Sequence, residues 1–238
     1  MLLARMSTRG RARDSAPGGE RLTAMEWDKF RLSRLRQNLQ LYLPEHVLTR
    51  VQALGGDASR PPMELRREFP FDGILVDAPC TSERERLLRD TARRSKAAGA
   101  ETAAEAMPGG GGSSGADEDP PFVWDRQRSE DCAKRQVALL RSAMDMCAPH
   151  GSVVYSTCAL SDIENDAVVE EALKGAPYRW HVHRGNIFSS QEGWSFDARA
   201  LAAEADLTIE ETRYGSRVLP DRGGWGPMYW SVLRGPAA

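Results

Sequence analysis

The sequence predicts an α/β domain built on a parallel sheet with crossover helices. Three observations carry that reading. Short apolar runs with strand character alternate with helical patterns of ten or more residues, the order that parallel βαβ units require. One run, Ile74-Leu75-Val76 within "FDGILVDAPC" (71–80), is apolar on successive residues, as suits a strand covered on both faces. Two runs also end alike: "ILVDAPCTS" (74–82) and "GSVVYSTCAL" (151–160) each pass from apolar residues into a small polar turn holding a cysteine. In parallel sheets ligands sit beyond the carboxyl ends of the strands, which places Asp77, Pro79, Cys80, Thr157 and Cys158 on one rim.

The elements follow in order. "RLTAMEWDKFRLSRLRQNLQLYLP" (21–44) reads as a short strand running into a helix. Asp28 is its N-cap, Phe30, Leu32, Leu35, Leu39 and Leu41 share a face, and Pro44 stops it. "VQALGGD" (51–57) reads as a strand ending in a glycine turn. Residues 96–121, rich in Ala, Gly and Ser with four consecutive glycines, are expected to be a disordered low-complexity insertion. After it, Val137, Leu140, Ala143, Met144 and Cys147 recur at spacings of three and four, an amphipathic helix that ends before Pro149 and Gly151. "SVVYS" (152–156) is a strand. "SDIENDAVVEEALKG" (161–175) is a helix with Ser161 as N-cap, Glu164 completing a capping box and Gly175 as stop. "YRWHVHR" (178–184) alternates as a strand does, and "PMYWSVLR" (227–234) is the last strand. The expected division is a basic disordered tail or motif remnant over 1–21, a folded α/β domain over 22–95 and 122–238, and the insertion over 96–121.

Composition excludes some classes. With 41% apolar and 28% charged residues the chain can bury a core, and no apolar run approaches the roughly 18 residues of a membrane span. No membrane association is expected. The net charge is −2, but residues 97–121 carry five acids and no Lys or Arg, which leaves the remainder at +3. A mildly basic domain is compatible with an anionic partner without requiring one. The four cysteines form no C-x-x-C pair and no zinc-type cluster, so reduced thiols in an intracellular protein are expected and no bound metal. Cys132 and Cys147 lie within a helical pattern and fit buried, inert thiols. Cys80 and Cys158 sit in polar turns, where a thiol is more readily reactive. The N-terminus, "MLLARMSTRGRAR", has four Arg and no acid before Asp14. It resembles a transit peptide, and a basic tail is the alternative. His181 and His183 share a strand face with no other ligand nearby and read as surface. The basic segment from Arg84 to Arg94 reads as phosphate-contacting or as the solvated face of a helix.

"VDAPCT" and "YSTCALSDIEND" together resemble the paired signature of the RsmB/Nop/Sun family of RNA cytosine-5 methyltransferases. "RVLPDRGGWGPMYWSVLRG" (217–235) is similar to that family's C-terminal motif, and its "GPMYW" to the branch that methylates mitochondrial small-subunit ribosomal RNA. The helix after Met25 resembles the family's A-N-D-x-x-x-x-R-x-x-R-L segment. The resemblance implies a Rossmann-like class I methyltransferase sheet, S-adenosylmethionine as cofactor, RNA (ribosomal RNA first) as substrate and a mitochondrial location. A protein partner that delivers the RNA is left open. It also implies roles. Cys158 is the nucleophile that adds to carbon 6 of cytosine, making carbon 5 able to take a methyl group. Asp77 contacts the base at N3 and its amino group, and the cofactor beside it. Cys80 assists loss of the carbon 5 proton so that the product is released. Glu26 accepts the cofactor's ribose hydroxyls, Arg31 is the basic residue five positions on, and Asp57 contacts the adenine amino group.

The chain departs from the family at its first cofactor motif, a strand followed by D-x-C-A-A-P-G-G-K-T and a helix. Here "RDSAPGGERLTAMEWD" (13–28) places Gly18 and Gly19 at the glycine-rich turn, but Glu20 replaces the Lys, and the preceding "MSTRGRAR" is polar. Only Arg21 to Met25 separate Glu20 from Glu26, too few for a crossover helix and its return strand. The sheet is therefore expected to be incomplete at its N-terminal βα unit, with strand edges exposed. An inactive RNA- or partner-binding remnant of the same fold is the second reading. The altered motif favours it; the retained cysteine turns and Asp77 oppose it. A thiol redox protein using Cys80 and Cys158 is the third.

Overall fold

The structure, a computed structural model, describes the backbone of residues 2–6 and, in full, residues 21–66, 68–91, 95, 123–176, 180–184, 208–220 and 226–236. The expected insertion over 96–121 and the glycines of "APGG" lie outside these residues.

Nine strands among the described residues form one sheet in the order β3-β2-β1-β4-β5-β9-β8-β7, with β6 paired to β9. The strands are β1 (Leu2–Met6), β2 (Arg21–Glu26), β3 (Val51–Gly55), β4 (Phe71–Asp77), β5 (Cys147–Thr157), β6 (His181–Val182), β7 (Ile209–Glu211), β8 (Ser216–Val218) and β9 (Met228–Arg234). The sheet is mixed, which corrects the expectation of a parallel one. β2–β3 and β4–β5 are parallel, whereas β5–β9, β9–β8 and β8–β7 are antiparallel. The physical reason is connection length. A parallel neighbour needs a crossover of about a dozen residues or more. Helix α1 and the helices between β4 and β5 supply one, but the short links β7–β8 and β8–β9 cannot.

The N-terminus holds a second difference. Leu2–Met6, expected within the tail, lies between β2 and β4 and pairs antiparallel with both. Strand β1 satisfies the facing amides and carbonyls of its two neighbours, which an empty slot leaves without partners. The slot is filled in the opposite sense to its neighbours. The polar "MSTRGRAR" hid a strand that begins in Leu-Leu.

Helix α1 (Lys29–Tyr42) starts at Asp28, whose side chain accepts from the Arg31 N–H at 2.8 Å, as the sequence predicts. Its expected apolar face is only partly used. Leu32 is buried and Leu35 and Leu39 half-buried, but Phe30 and Leu41 are exposed, because α1 packs at the sheet edge, chiefly on β2 and β3. Two single-turn helices, α2 (Glu45–Leu48) and α3 (Met63–Arg66), and a helical stretch α4 (83–91) follow. Helix α5 (Arg126–Met146), capped by Asp125, buries Leu139, Leu140, Ala143, Met144 and Met146 against β4 and β5. Cys147 is not its last apolar position but the first residue of β5. The chain after Ser161 is a 3₁₀ turn (Asp162–Glu164) before helix α6 (Asp166–Lys174), which ends at Gly175 as expected.

The core lies between the sheet and α5–α6, where Ile74, Val76, Val153, Tyr155 and Leu233 meet Leu140, Val168 and Val169. Leu140 is 0% exposed at its centre. Leu140→Ala is expected to lower unfolding stability by about 2–5 kcal/mol, read as a shift of the urea midpoint with unchanged slope.

Candidate active site

Register places the two cysteine turns side by side. In the parallel pair β4–β5, Ile74 lies opposite Val153, Val76 opposite Tyr155 and Asp77 opposite Ser156. The last ladder bond, Ala78 N–H to Ser156 O at 2.9 Å, ends the pairing. Cys80 and Cys158 follow within three residues of that point, on turns that leave the sheet together. Their sulfurs are 3.0 Å apart. At that distance one thiol donates to the other, and the pair loses its first proton far more easily than its second. The Cys158 thiol donating to it lowers Cys80 from 9.0 to about 7, against burial, which acts the other way. Cys158 is raised, because its proton is held by Cys80, because it is half-buried, and because Asp77 adds negative charge nearby. Asp77 thus faces the pair from the exposed end of β4. The other thiols behave as the sequence suggests: burial raises Cys132 and pushes Cys147 up to about 12.

Two buried carboxylates hold these turns. Glu164, 0% exposed, accepts from the Thr81 hydroxyl at 2.7 Å, the Thr81 N–H at 3.0 Å and the Gln136 amide at 3.1 Å. Gln136 also donates to Pro79 O at 2.9 Å, and the Tyr155 hydroxyl donates to Glu164 O at 2.6 Å. This corrects the capping-box expectation: Ser161 caps the Ile163 N–H, but the Glu164 side chain turns inward to the other cysteine loop. Glu83, 1% exposed, accepts from the Leu160 N–H. Asn165 fixes the second turn from within, accepting from the Thr157 hydroxyl at 2.6 Å and donating to Ala159 O at 3.0 Å. The sequence reading missed Glu83, Gln136 and Asn165. Their polarity inside otherwise apolar or turn patterns was the available signal.

Beside the thiols, a cavity of about 550 Å³ opens at the carboxyl ends of β2 and β3. It is lined by Glu26, Trp27, Arg31, Asp57 and Arg135, and Pro79 joins it to the Cys80 turn. That volume suits a small ligand or nucleoside cofactor. Glu26 is 7% exposed; one oxygen accepts from the Asp28 N–H at 3.0 Å and the other lies 3.3 Å from Arg31. Asp57 accepts from the Ser59 N–H and hydroxyl at 2.9 and 2.8 Å. Gly56 makes the turn between strand and acid at φ +148, with Met25 Cε 2.9 Å from where a Cβ would stand. Trp27, also unread in the sequence, faces the cavity with the Arg135 guanidinium 4.0 Å over its ring. The structure therefore brings Glu26, Arg31 and Asp57 together, and Asp77, Cys80 and Cys158 together. Gly18 and Gly19 lie outside the described residues.

This juxtaposition of a cavity at two strand ends and a thiol pair at the next two defines a Rossmann-like methyltransferase domain. The solved structure of NSun6 from Pyrococcus horikoshii with SFG shares the fold, with a TM-score of 0.51 over 89% of this chain and 40% of that one, at 18% identity. The chain belongs to the RsmB/F methyltransferase family: the family described as 16S rRNA methyltransferase RsmB/F matches residues 112–234. Among curated relatives it is similar to the mitochondrial tRNA (cytosine(34)-C(5))-methyltransferase of Mus musculus, 25% identical over 92% of this chain and 56% of that protein. It is also similar to the 5-cytosine rRNA methyltransferase NSUN4 of Xenopus tropicalis, 26% identical over 92% of this chain and 49% of that protein. The chain thus spans about half the length of the curated relatives it matches.

Proposed function

We propose that this domain methylates carbon 5 of cytosine in RNA, with ribosomal RNA the first substrate to test. The observation that carries the reading is the 3.0 Å approach of Cys80 and Cys158 at a rim shared with Asp77. One sulfur adds to the base while the other stands ready to exchange a proton with it, the requirement of covalent catalysis at an unreactive carbon. As the Cys158 sulfur bonds to carbon 6, its proton passes to the Cys80 thiolate. Asp77 holds the base by N3 and its amino group. Cys80 then gives that proton to solvent and, again as thiolate, takes the carbon 5 proton, so the electrons of that bond expel Cys158. The target base leaves any stack to reach these turns.

The cavity fits the cofactor this chemistry needs. Glu26 and Asp57 would hold the ribose and adenine of S-adenosylmethionine, and Arg31 would stand beside Glu26; Gly18 and Gly19 are not assigned to it, because Arg21, two residues after Gly19, starts β2 at the end of the sheet opposite the cavity. The cofactor, when bound, supplies the methyl group. Removing the Glu26 carboxylate is expected to weaken S-adenosylhomocysteine binding about tenfold or more in calorimetry, as for the loss of hydrogen bonds to a charged group. A mitochondrial location, supported by the name of one relative, and a protein partner that delivers RNA belong to the same proposal. A tagged copy tests both, by its position in the cell and by what is retained with it.

One observation favours the binding-remnant reading. Strand β1 runs antiparallel, so Leu2, opposite Met25 and Val76, brings its amino end toward the cavity rim. The family's motif puts a carboxyl end and a glycine turn there. Incubation of the protein with ribosomal RNA and labelled S-adenosylmethionine decides. Label in RNA cytosine carries the enzyme reading; no cofactor binding and no label, with RNA still retained, overturns it in favour of the remnant.

A further inference from the structure

We propose that Glu83 and Glu164 are positioning residues whose crossed hydrogen bonds set the distance between Cys80 and Cys158. The inference rests on the two-cysteine reading for its catalytic meaning, but on geometry for its substance. The β4–β5 ladder stops at Ala78, so beyond that point the sheet no longer fixes one turn against the other. The direct backbone tie that remains is a long bond, Arg84 N–H to Cys158 O at 3.4 Å. Two carboxylates take over where the ladder ends, in opposite directions. Glu164 follows the Cys158 turn and reaches back to both donors of Thr81, the residue after Cys80. Glu83 follows the Cys80 turn and reaches across to the N–H of Leu160, two residues after Cys158. The partners are 83 and 77 positions apart in sequence. Gln136 of α5 ties the assembly to the core by donating to both Glu164 and Pro79 O.

Both side chains are nearly fully buried, and neither forms an ion pair with Lys or Arg among the described residues. Burying a carboxylate on neutral donors is unfavourable unless every oxygen is well placed. A fold needing only a stable turn could use apolar packing at less cost. Two such groups, each spanning from one cysteine turn to the other, are explained if the span itself is what must be held. The effect is geometric pre-organisation: a misplacement of about 1 Å at reacting atoms can cost about a hundredfold in rate.

Disulfide formation measures this distance without RNA or cofactor. Two thiols and one oxidised glutathione give one protein disulfide and two reduced glutathiones, and the equilibrium constant reports how closely the sulfurs are held. In glutathione buffers, with the bond mapped by mass spectrometry, Glu164→Ala is expected to lower the Cys80–Cys158 constant about tenfold or more. Glu164→Gln keeps an acceptor for Thr81 and is expected to recover much of the loss. Glu83→Gln and Thr81→Val, gentler changes, are expected to fall between the wild type and Glu164→Ala, and they carry the comparison if Glu164→Ala does not fold. S-adenosylhomocysteine affinity should stay within about twofold throughout, since none of the substituted residues, Thr81, Glu83 or Glu164, lines the cavity. Variants that fold cooperatively and keep the wild-type disulfide constant overturn the proposal. A protein that shows the disulfide effect but transfers no methyl group overturns the proposed activity instead and leaves the brace standing.

Discussion

Replacing Cys80 by alanine is expected to leave the protein covalently attached to its RNA, and replacing Cys158 to leave no attachment at all. The asymmetry follows from which bond each sulfur controls. In the proposed mechanism Cys158 makes the bond to carbon 6, so without it the base is never activated and neither adduct nor product forms. Cys80 takes the Cys158 proton on the way in, a proton that solvent accepts more slowly when Cys80 is absent, but nothing replaces it after methyl transfer, when the carbon 5 proton must leave for the Cys158–carbon 6 bond to break. Without it the adduct forms, accepts the methyl group and accumulates. Cys158→Ala should therefore reduce methyl transfer to background, a loss of at least about a thousandfold, the order seen when a covalent nucleophile is removed. Cys80→Ala should give a band of protein plus RNA that survives denaturing electrophoresis and carries label from S-adenosylmethionine. The reverse pattern, adduct with Cys158→Ala and none with Cys80→Ala, would exchange the two roles. Absence of adduct from both, in a wild type that methylates, would end the two-cysteine mechanism. The 3.0 Å separation makes either sulfur able to reach the same base, so the experiment tests chemistry rather than access.

How much of this was legible in the sequence varies with how local each feature is. The strand at 71–77, the helix at 126–146 and the Asp28 cap were readable because periodicity and capping are written in neighbouring residues. The cysteine turns were readable as a pair because each follows its strand directly. Their distance was not, since it depends on the register of Asp77 with Ser156 across 79 positions. Glu164 shows the failure most clearly. Serine three residues earlier makes a capping box the natural local reading, yet Thr81 and Gln136 offer three donors from distant segments and win the carboxylate. β1 was missed for a related reason. "LLARM" is too short and mixed to mark a strand alone, and it pairs because β2 and β4 leave a slot of matching hydrogen-bond partners. The antiparallel half of the sheet was lost because link length, rather than strand composition, decides direction. The exposed Phe30 and Leu41 show that an apolar stripe states what a helix can bury, not what it meets.

The thiol pair also sets a pH dependence that separates it from every other cysteine in the protein. One thiolate should appear at the pair with a midpoint near pH 7, where Cys80 is placed by the hydrogen bond from Cys158, rather than near 9.0. At pH 7 that group is about half ionised, while an ordinary thiol at 9.0 is about one per cent ionised, so iodoacetamide should modify the pair roughly fiftyfold in excess if the two thiolates were equally nucleophilic. The lower intrinsic nucleophilicity of a low-pKa thiolate trims the rate advantage to several-fold. The rate at the pair should then stay flat to about pH 10, because Cys158 is raised by the proton it shares and by Asp77; burial also raises Cys132 and pushes Cys147 up to about 12. The sign reverses in the variants. In Cys158→Ala, Cys80 loses the largest influence lowering it, burial remains, and the midpoint should move up toward or beyond 9.0. In Cys80→Ala, Cys158 is relieved of the influence that raises it most, so its midpoint falls from the wild-type value while burial and Asp77 hold it above an ordinary thiol. Mass spectrometry of the alkylated protein across pH 6–10 reads all three. A wild-type midpoint at or above 9.0, or two modified sulfurs by pH 9, would show that the sulfurs do not share a proton. The catalytic consequence lies in the same numbers. A pair with one proton near neutral pH holds a base and a nucleophile together, and neither has to be made ionic by a third group before cytosine arrives.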